Sequence, residues 1–185
     1  MYRKSIFLFL LLFMTFISCE ENILPKPKAL LRLEYSRPSM TKADTDVFKV
    51  QYKKNAKLKK ENAESLMLEY PNMKASVFIN YKRVDNNLKQ LITDAERLSY
   101  EHAIKADDIR ARIYENVENK VYGTFFEVVG DAASQAQFYV TDSTRHFVTG
   151  SLYFAAKPNY DSIYPAAVYL QQDIGRIMQS LRWKK

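Results

Sequence analysis

At 185 residues the chain is long enough for one ordinary domain with little left over. Its 47% apolar and 26% charged residues exclude a wholly disordered chain, a collagen and a coiled-coil rod. Four glycines argue against glycine-rich phosphate loops, a single cysteine excludes an intramolecular disulfide or a Cys-based zinc site, and the formal charge of +7 is moderate.

The first elements are an address. Arg3 and Lys4 form a positive start, and Ile6 to Ile17 is an uncharged run of 12 residues. A membrane-spanning helix needs about 20 apolar residues, so this run reads as the apolar core of a signal peptide, residues 1–18. It ends in Phe16-Ile17-Ser18-Cys19, which has the form of a bacterial lipobox. Small groups precede the cut, and the thiol is free to take a diacylglyceryl group. The other reading is a cleaved secretory signal with an incidental cysteine. With residues 1–18 removed, 26 basic residues stand against 21 acidic ones and no second thiol remains. One acyl chain binds a membrane only marginally, whereas two or three hold.

Residues 19–45 follow as a lipidated tether. Pro25, Pro27 and Pro38 each fix φ and remove a donor, and no helical or strand period is sustained. Leu30, Leu31, Leu33 and Tyr35 leave open a second reading, a belt packed across the domain.

Residues 46–185 read as one domain. Val47–Tyr52 is a predicted strand. The next eight residues, 53–60, carry five lysines and read as a solvated loop, or as a contact for anionic lipid. Ser65–Tyr70 and Ala75–Val84 are strands joined by a turn at Pro71-Asn72. Leu88, Leu91, Ile92, Ala95, Leu98 and His102 recur at helical spacing, capped by Asn86 or Asn87 and fading near Lys105–Asp108. Four strands follow, over 109–117, 121–129, 134–141 and 145–156, joined by short turns and therefore antiparallel. Ile163, Ala167, Leu170, Ile174, Ile177 and Leu181 step by 4, 3, 4, 3 and 4, one apolar stripe on a closing helix capped by Asp161 or Ser162. The expected fold is α+β: an antiparallel sheet of about six to seven strands packed by at least two helices.

Chemistry-bearing patterns are sparse. His102 and His146 lack any metal-ligand spacing, and the sequence contains no nucleophile elbow and no P-loop. No metal and no cofactor is expected. The densest polar cluster is Pro158-Asn159-Tyr160-Asp161-Ser162. It reads as a turn with an N-cap, or as a binding loop at a helix N-terminus, where free N–H groups favour anions. Trp183 reads as a closing plug or as an exposed partner contact.

Several segments in one order carry a resemblance. They are Asn87-Leu88-Lys89-Gln90-Leu91-Ile92-Thr93-Asp94-Ala95, Tyr100-Glu101-His102-Ala103-Ile104-Lys105-Ala106-Asp107 and Lys120-Val121-Tyr122-Gly123. Arg145-His146-Phe147-Val148-Thr149-Gly150-Ser151-Leu152-Tyr153-Phe154, Pro158–Ser162, Asp173-Ile174 and Ser180-Leu181-Arg182-Trp183-Lys184 complete the set, behind a lipobox and Pro25-Lys26-Pro27. Together they resemble the gliding-motility lipoprotein GldD family of Bacteroidota. The resemblance implies a non-catalytic lipoprotein anchored through Cys19, on the outer membrane facing the periplasm. It also implies a requirement in gliding, a link to type IX secretion, and other gliding and secretion envelope proteins as partners. Nucleic acid is not among the partners expected of an exported lipoprotein. The strand and helix order is also similar to the PsbP/Mog1-like fold. Two other classes stay open: a lipid-anchored binding module for a small ligand or cell-wall fragment, with a concave aromatic site beside 158–162, and an envelope hydrolase built on His102 or His146.

Overall fold

The computed structural model describes residues 39–60, 62–101, 106–155 and 159–184. In chain order the elements are β1 (Met40–Asp44), β2 (Phe48–Lys53), β3 (Lys57–Lys60), β4 (Leu66–Tyr70), a 3-10 turn (Pro71–Met73) and β5 (Ala75–Arg83). Helix α1 (Leu88–Glu101) then precedes β6 (Ala106–Asn116), β7 (Val121–Gly130), β8 (Ala136–Thr141) and β9 (His146–Phe154). Helix α2 (Tyr160–Ser180) and the two-residue strand β10 (Arg182–Trp183) complete the chain. The α+β expectation holds, with a seven-stranded sheet in the order β3-β4-β5-β9-β8-β7-β6. A second, three-stranded sheet, β1-β2-β10, lies outside that expectation. Every pairing in both sheets is antiparallel.

The large sheet is covered on both faces, and neighbouring residues on a strand choose opposite sides. Phe126, Tyr139 and Phe147 join Val84 and Leu91 in the core beneath α1. Their neighbours Phe125, Phe138, Val140 and Val148 join the larger core, with Leu170, Ile174 and Ile177 of α2 and Phe48 and Val50 of β2. Strand β8 lies inside the sheet between β7 and β9, so all six of its residues are buried. That burial accounts for its unbroken apolar and amide run, because a strand covered on both faces has no solvent side. Two glycines admit close approaches. A Cβ at Gly123 would overlap the Tyr139 carbonyl, and one at Gly150 would overlap the Phe138 ring.

The structure departs from the sequence expectations at four places. Met40–Asp44, assigned above to the tether, is a strand in register with β2. The lysine run is no simple loop, since Lys57–Lys60 pairs with Leu66–Glu69. On α1 the apolar stripe bends. Leu98 is 43% exposed, while Ser99 is buried, with its hydroxyl 2.9 Å from the Ala95 carbonyl and 3.1 Å from Gln137 Oε1. The cap of α2 is Asn159 and not Asp161 or Ser162, which lie inside its first turn.

One buried ionic cluster ties α2 to the small sheet. Lys53 and Asp173 form an ion pair at 5% and 3% exposure. The Lys53 ammonium also lies 3.5 Å from the centre of the Tyr169 ring. The Tyr70 hydroxyl is buried beside the Asp173 carboxylate, and the Arg176 guanidinium lies 3.9 Å from Asp173 Oδ1. Burial first, then the Asp173 charge, pushes the Tyr70 phenol far above its ordinary range. Burial also raises the Asp173 carboxyl, against the pull of Lys53.

Candidate functional site

The 158–162 cluster lies where β9 hands over to α2; Pro158 is outside the described residues. The Asn159 side chain accepts from the Ser162 N–H, and the Ser162 hydroxyl donates to the Asn159 carbonyl at 2.8 Å. The Tyr160 N–H donates to Asp131 Oδ1 at 2.7 Å. These bonds occupy donors that a helix start leaves free. Beside them is a hollow of about 200 Å³ walled by Asp107, Asp131, Asp161, Asn159 and Tyr160. Three carboxylates there oppose an anion, so the geometry is that of a cap and turn with a negative rim. Tyr160 packs edge-on against Tyr164 at 5.5 Å, and burial followed by Tyr164 raises its phenol.

His146 and Trp183 come together although 37 positions apart. Their rings stack at 5.1 Å with 15° between planes. Tyr81 Oη lies 3.0 Å from His146 Nδ1, and Trp183 Nε1 donates to the Lys120 carbonyl at 2.9 Å. Asp142 organises the turn that presents the histidine. Burial favours its neutral form, yet the N–H groups of His146, Arg145 and Thr144 outweigh that and hold its carboxyl below the usual range. Burial lowers the His146 imidazole, with the Asp142 charge opposing. With one nitrogen engaged by a phenol and one face by an indole, the ring is built into a brace that fastens β9 to β10. His102 lies outside the described residues, as does Cys19. Among the described residues no group of three metal-ligating side chains comes together.

A larger concavity lies elsewhere. Between the β6–β7 hairpin and α2 runs a groove of about 450 Å³, lined by Arg112, Phe125, Glu127, Gln171, Gly175 and Met178 among others. Gly175 has no neighbour within 4 Å of where a Cβ would stand, so this part of the helix is open. Arg112 pairs with Glu127 and lies 5.6 Å over the Phe125 ring. The rim is β6, the edge strand of the large sheet, and among the described residues no strand covers its outer side. Ile113 on this strand is 81% exposed, and Val117, in the turn that follows it, is 71% exposed.

In the sequence, Ile113 and Val117 stand with Ile109 and Ala111 as alternating apolar positions, and no motif marks the groove. Their alternation with Arg112 and Asn116 carries no sign of which strand ends a sheet. Gly175 on the polar side of the closing helix was the one signal that could have pointed here.

No described helix is long and apolar enough to cross a membrane. A family model described as gliding motility lipoprotein GldD matches residues 20–183. No curated protein matches the chain.

Proposed function

The chain belongs to the gliding motility lipoprotein GldD family, and from that premise we propose that it is a non-catalytic, partner-binding component of the gliding apparatus. In this reading Cys19 carries the lipid, the anchor is in the outer membrane facing the periplasm, and the partners are other envelope proteins of gliding and type IX secretion. The observation that carries it is the exposed edge of β6, where Ile113 borders a groove lined by Phe125 and Met178 and Val117 stands exposed in the turn that follows. A free strand edge is a template for an added strand, and exposed aliphatic residues on it supply side-chain pockets with contacts.

The test is a photocrosslinking residue at Ile113 or Val117 in living cells, together with the Ile113→Glu/Val117→Glu form. Crosslinks to an envelope protein, and loss of spreading with normal protein level and fractionation, support the reading. Normal spreading by the double variant overturns it.

A small-ligand reading draws on the same groove, whose Phe125 face and Gln171 amide suit a cell-wall fragment. Calorimetric titration with soluble peptidoglycan fragments separates the two, since only the ligand reading expects heat that disappears in Phe125→Ala.

A further inference from the structure

The chain is polarised along α2. At the helix start are Asp107, Asp131 and Asp161. At its other end, two hollows share Gln51, Ser180 and Arg182. One of them adds Met40 and Arg176, the other Lys42 and Lys49, and no carboxylate lines either. Lys42, Lys49, Arg176 and Arg182 are all exposed, and Met40 is 38% exposed among them. Two carboxylates border this end: Asp44 faces Lys49 across the strands and pairs with Lys184, and buried Asp173 lies 3.9 Å from Arg176, so the cations remain in excess. A 21-residue helix is about 31 Å long, so the acidic and basic poles are separated by about the width of the domain.

The described chain begins at the basic pole. The Ser39 carbonyl accepts from the Lys54 N–H at 3.0 Å, so residues upstream of Ser39 join the domain beside exposed Lys54. From Cys19 to Ser39 is 20 residues, which cannot reach beyond about 70 Å. A lipid on Cys19 therefore holds this corner within about 70 Å of a bilayer and lets it touch the surface.

We propose that the face made by β1, β2, β10 and the last turns of α2 rests on anionic phospholipid headgroups. The positive pole is drawn to the negative surface and Met40 enters the interface. The acidic pole, with the 159–162 loop, points away toward solvent. The proposal rests on the lipid-anchor reading above. The field of an anionic leaflet falls off within a Debye length, about 8–10 Å at ordinary salt, so a tethered cationic face is within its range only when it lies against the surface.

Only Cys19 supplies a thiol in the native chain, so acylated protein accepts a spin label at one engineered cysteine. Gln51→Cys places it on the basic face, and Asn159→Cys places it at the acidic pole. The acylated protein is reconstituted in phosphatidylcholine vesicles with or without phosphatidylglycerol, and label accessibility to an aqueous relaxing agent is measured. With phosphatidylglycerol at low salt, the Gln51 label is expected to be shielded and the Asn159 label to stay aqueous. Shielding disappears in high salt, in pure phosphatidylcholine, and in Lys42→Glu/Lys49→Glu/Arg182→Glu. For the unacylated polypeptide, vesicle partitioning falls about fivefold for each of these cations neutralised.

Equal aqueous accessibility of both labels on phosphatidylglycerol vesicles overturns the proposal. So does shielding of Gln51 in native envelopes but not on those vesicles, which assigns the face to an acidic protein. The mass of the N-terminal peptide reports acylation independently. A chain without acyl groups overturns the anchor reading, and the vesicle partitioning of the unacylated polypeptide then decides the lipid proposal.

Discussion

Replacing Lys53 by methionine takes the nearer cation from the Asp173 carboxylate, which is 3% exposed, and leaves only the partly solvated Arg176 at 3.9 Å. Two estimates of the cost agree. A charge pair about 4 Å apart at an effective dielectric of 20 interacts by about 4 kcal/mol. Removing one partner of a buried pair costs about 3–5 kcal/mol. For a domain of this size, about 2–4 °C of melting temperature is lost per kcal/mol, so Lys53→Met should lower Tm by about 10 °C. The loss depends on pH. Asp173 has a folded pKa raised above its unfolded value by burial. Its protonated form is therefore favoured in the folded state. That contribution is fully present below the ordinary carboxylate value and is lost as pH rises through the folded pKa. The Lys53→Met defect should accordingly shrink on acidification. Lys53→Met/Asp173→Leu should regain all but about 1–2 kcal/mol, because an apolar pair leaves no orphaned charge. Urea unfolding of wild type, both single variants and the double variant closes the cycle. A Lys53→Met cost below about 1 kcal/mol, or one unchanged between pH 7 and pH 4, refutes the electrostatic account.

Two further outcomes follow from the fold. Gly123→Ala places a methyl against the Tyr139 carbonyl, where β7 pairs β8, and should destabilise by about 2–3 kcal/mol in the same assay; a cost under 0.5 kcal/mol would show that the strands can separate freely there. His146 has a folded pKa lowered by burial, so its contribution is present above the unfolded value of 6.5 and lost as pH falls through the folded pKa. Trp183, the chain's one tryptophan, stacks on it, so indole emission should change as pH falls below 6.5 and His146→Phe should abolish the change; a flat titration in wild type rejects the brace.

Much of the architecture follows from local periodicity. The 4-3-4-3-4 stripe ending at Leu181 dictates a helix lying on a sheet, and its stripe residues Ala167, Leu170, Ile174, Ile177 and Leu181 are buried. Short turns at Pro71, Asn119 and Ser143 between alternating runs determine antiparallel neighbours in the same way. The lipobox at Cys19 is a property of sequence alone, since nothing around it lies among the described residues.

Tertiary structure decided what depends on pairings between distant segments. Met40–Asp44 carries Thr, Lys and Asp and has no strand signature of its own, so only β2 makes it a strand. Arg182–Trp183 likewise becomes β10 only by pairing with Lys49 and Phe48. Whether Ile113 is core or surface depends on β6 being last in its sheet, a fact that resides in the order of strands and not in the strand itself. The Lys53–Asp173 pair, the His146–Trp183 stack and the basic pole each join residues tens of positions apart or more. A period reports which face of an element is apolar. What that face meets is settled by the packing of elements distant in the chain.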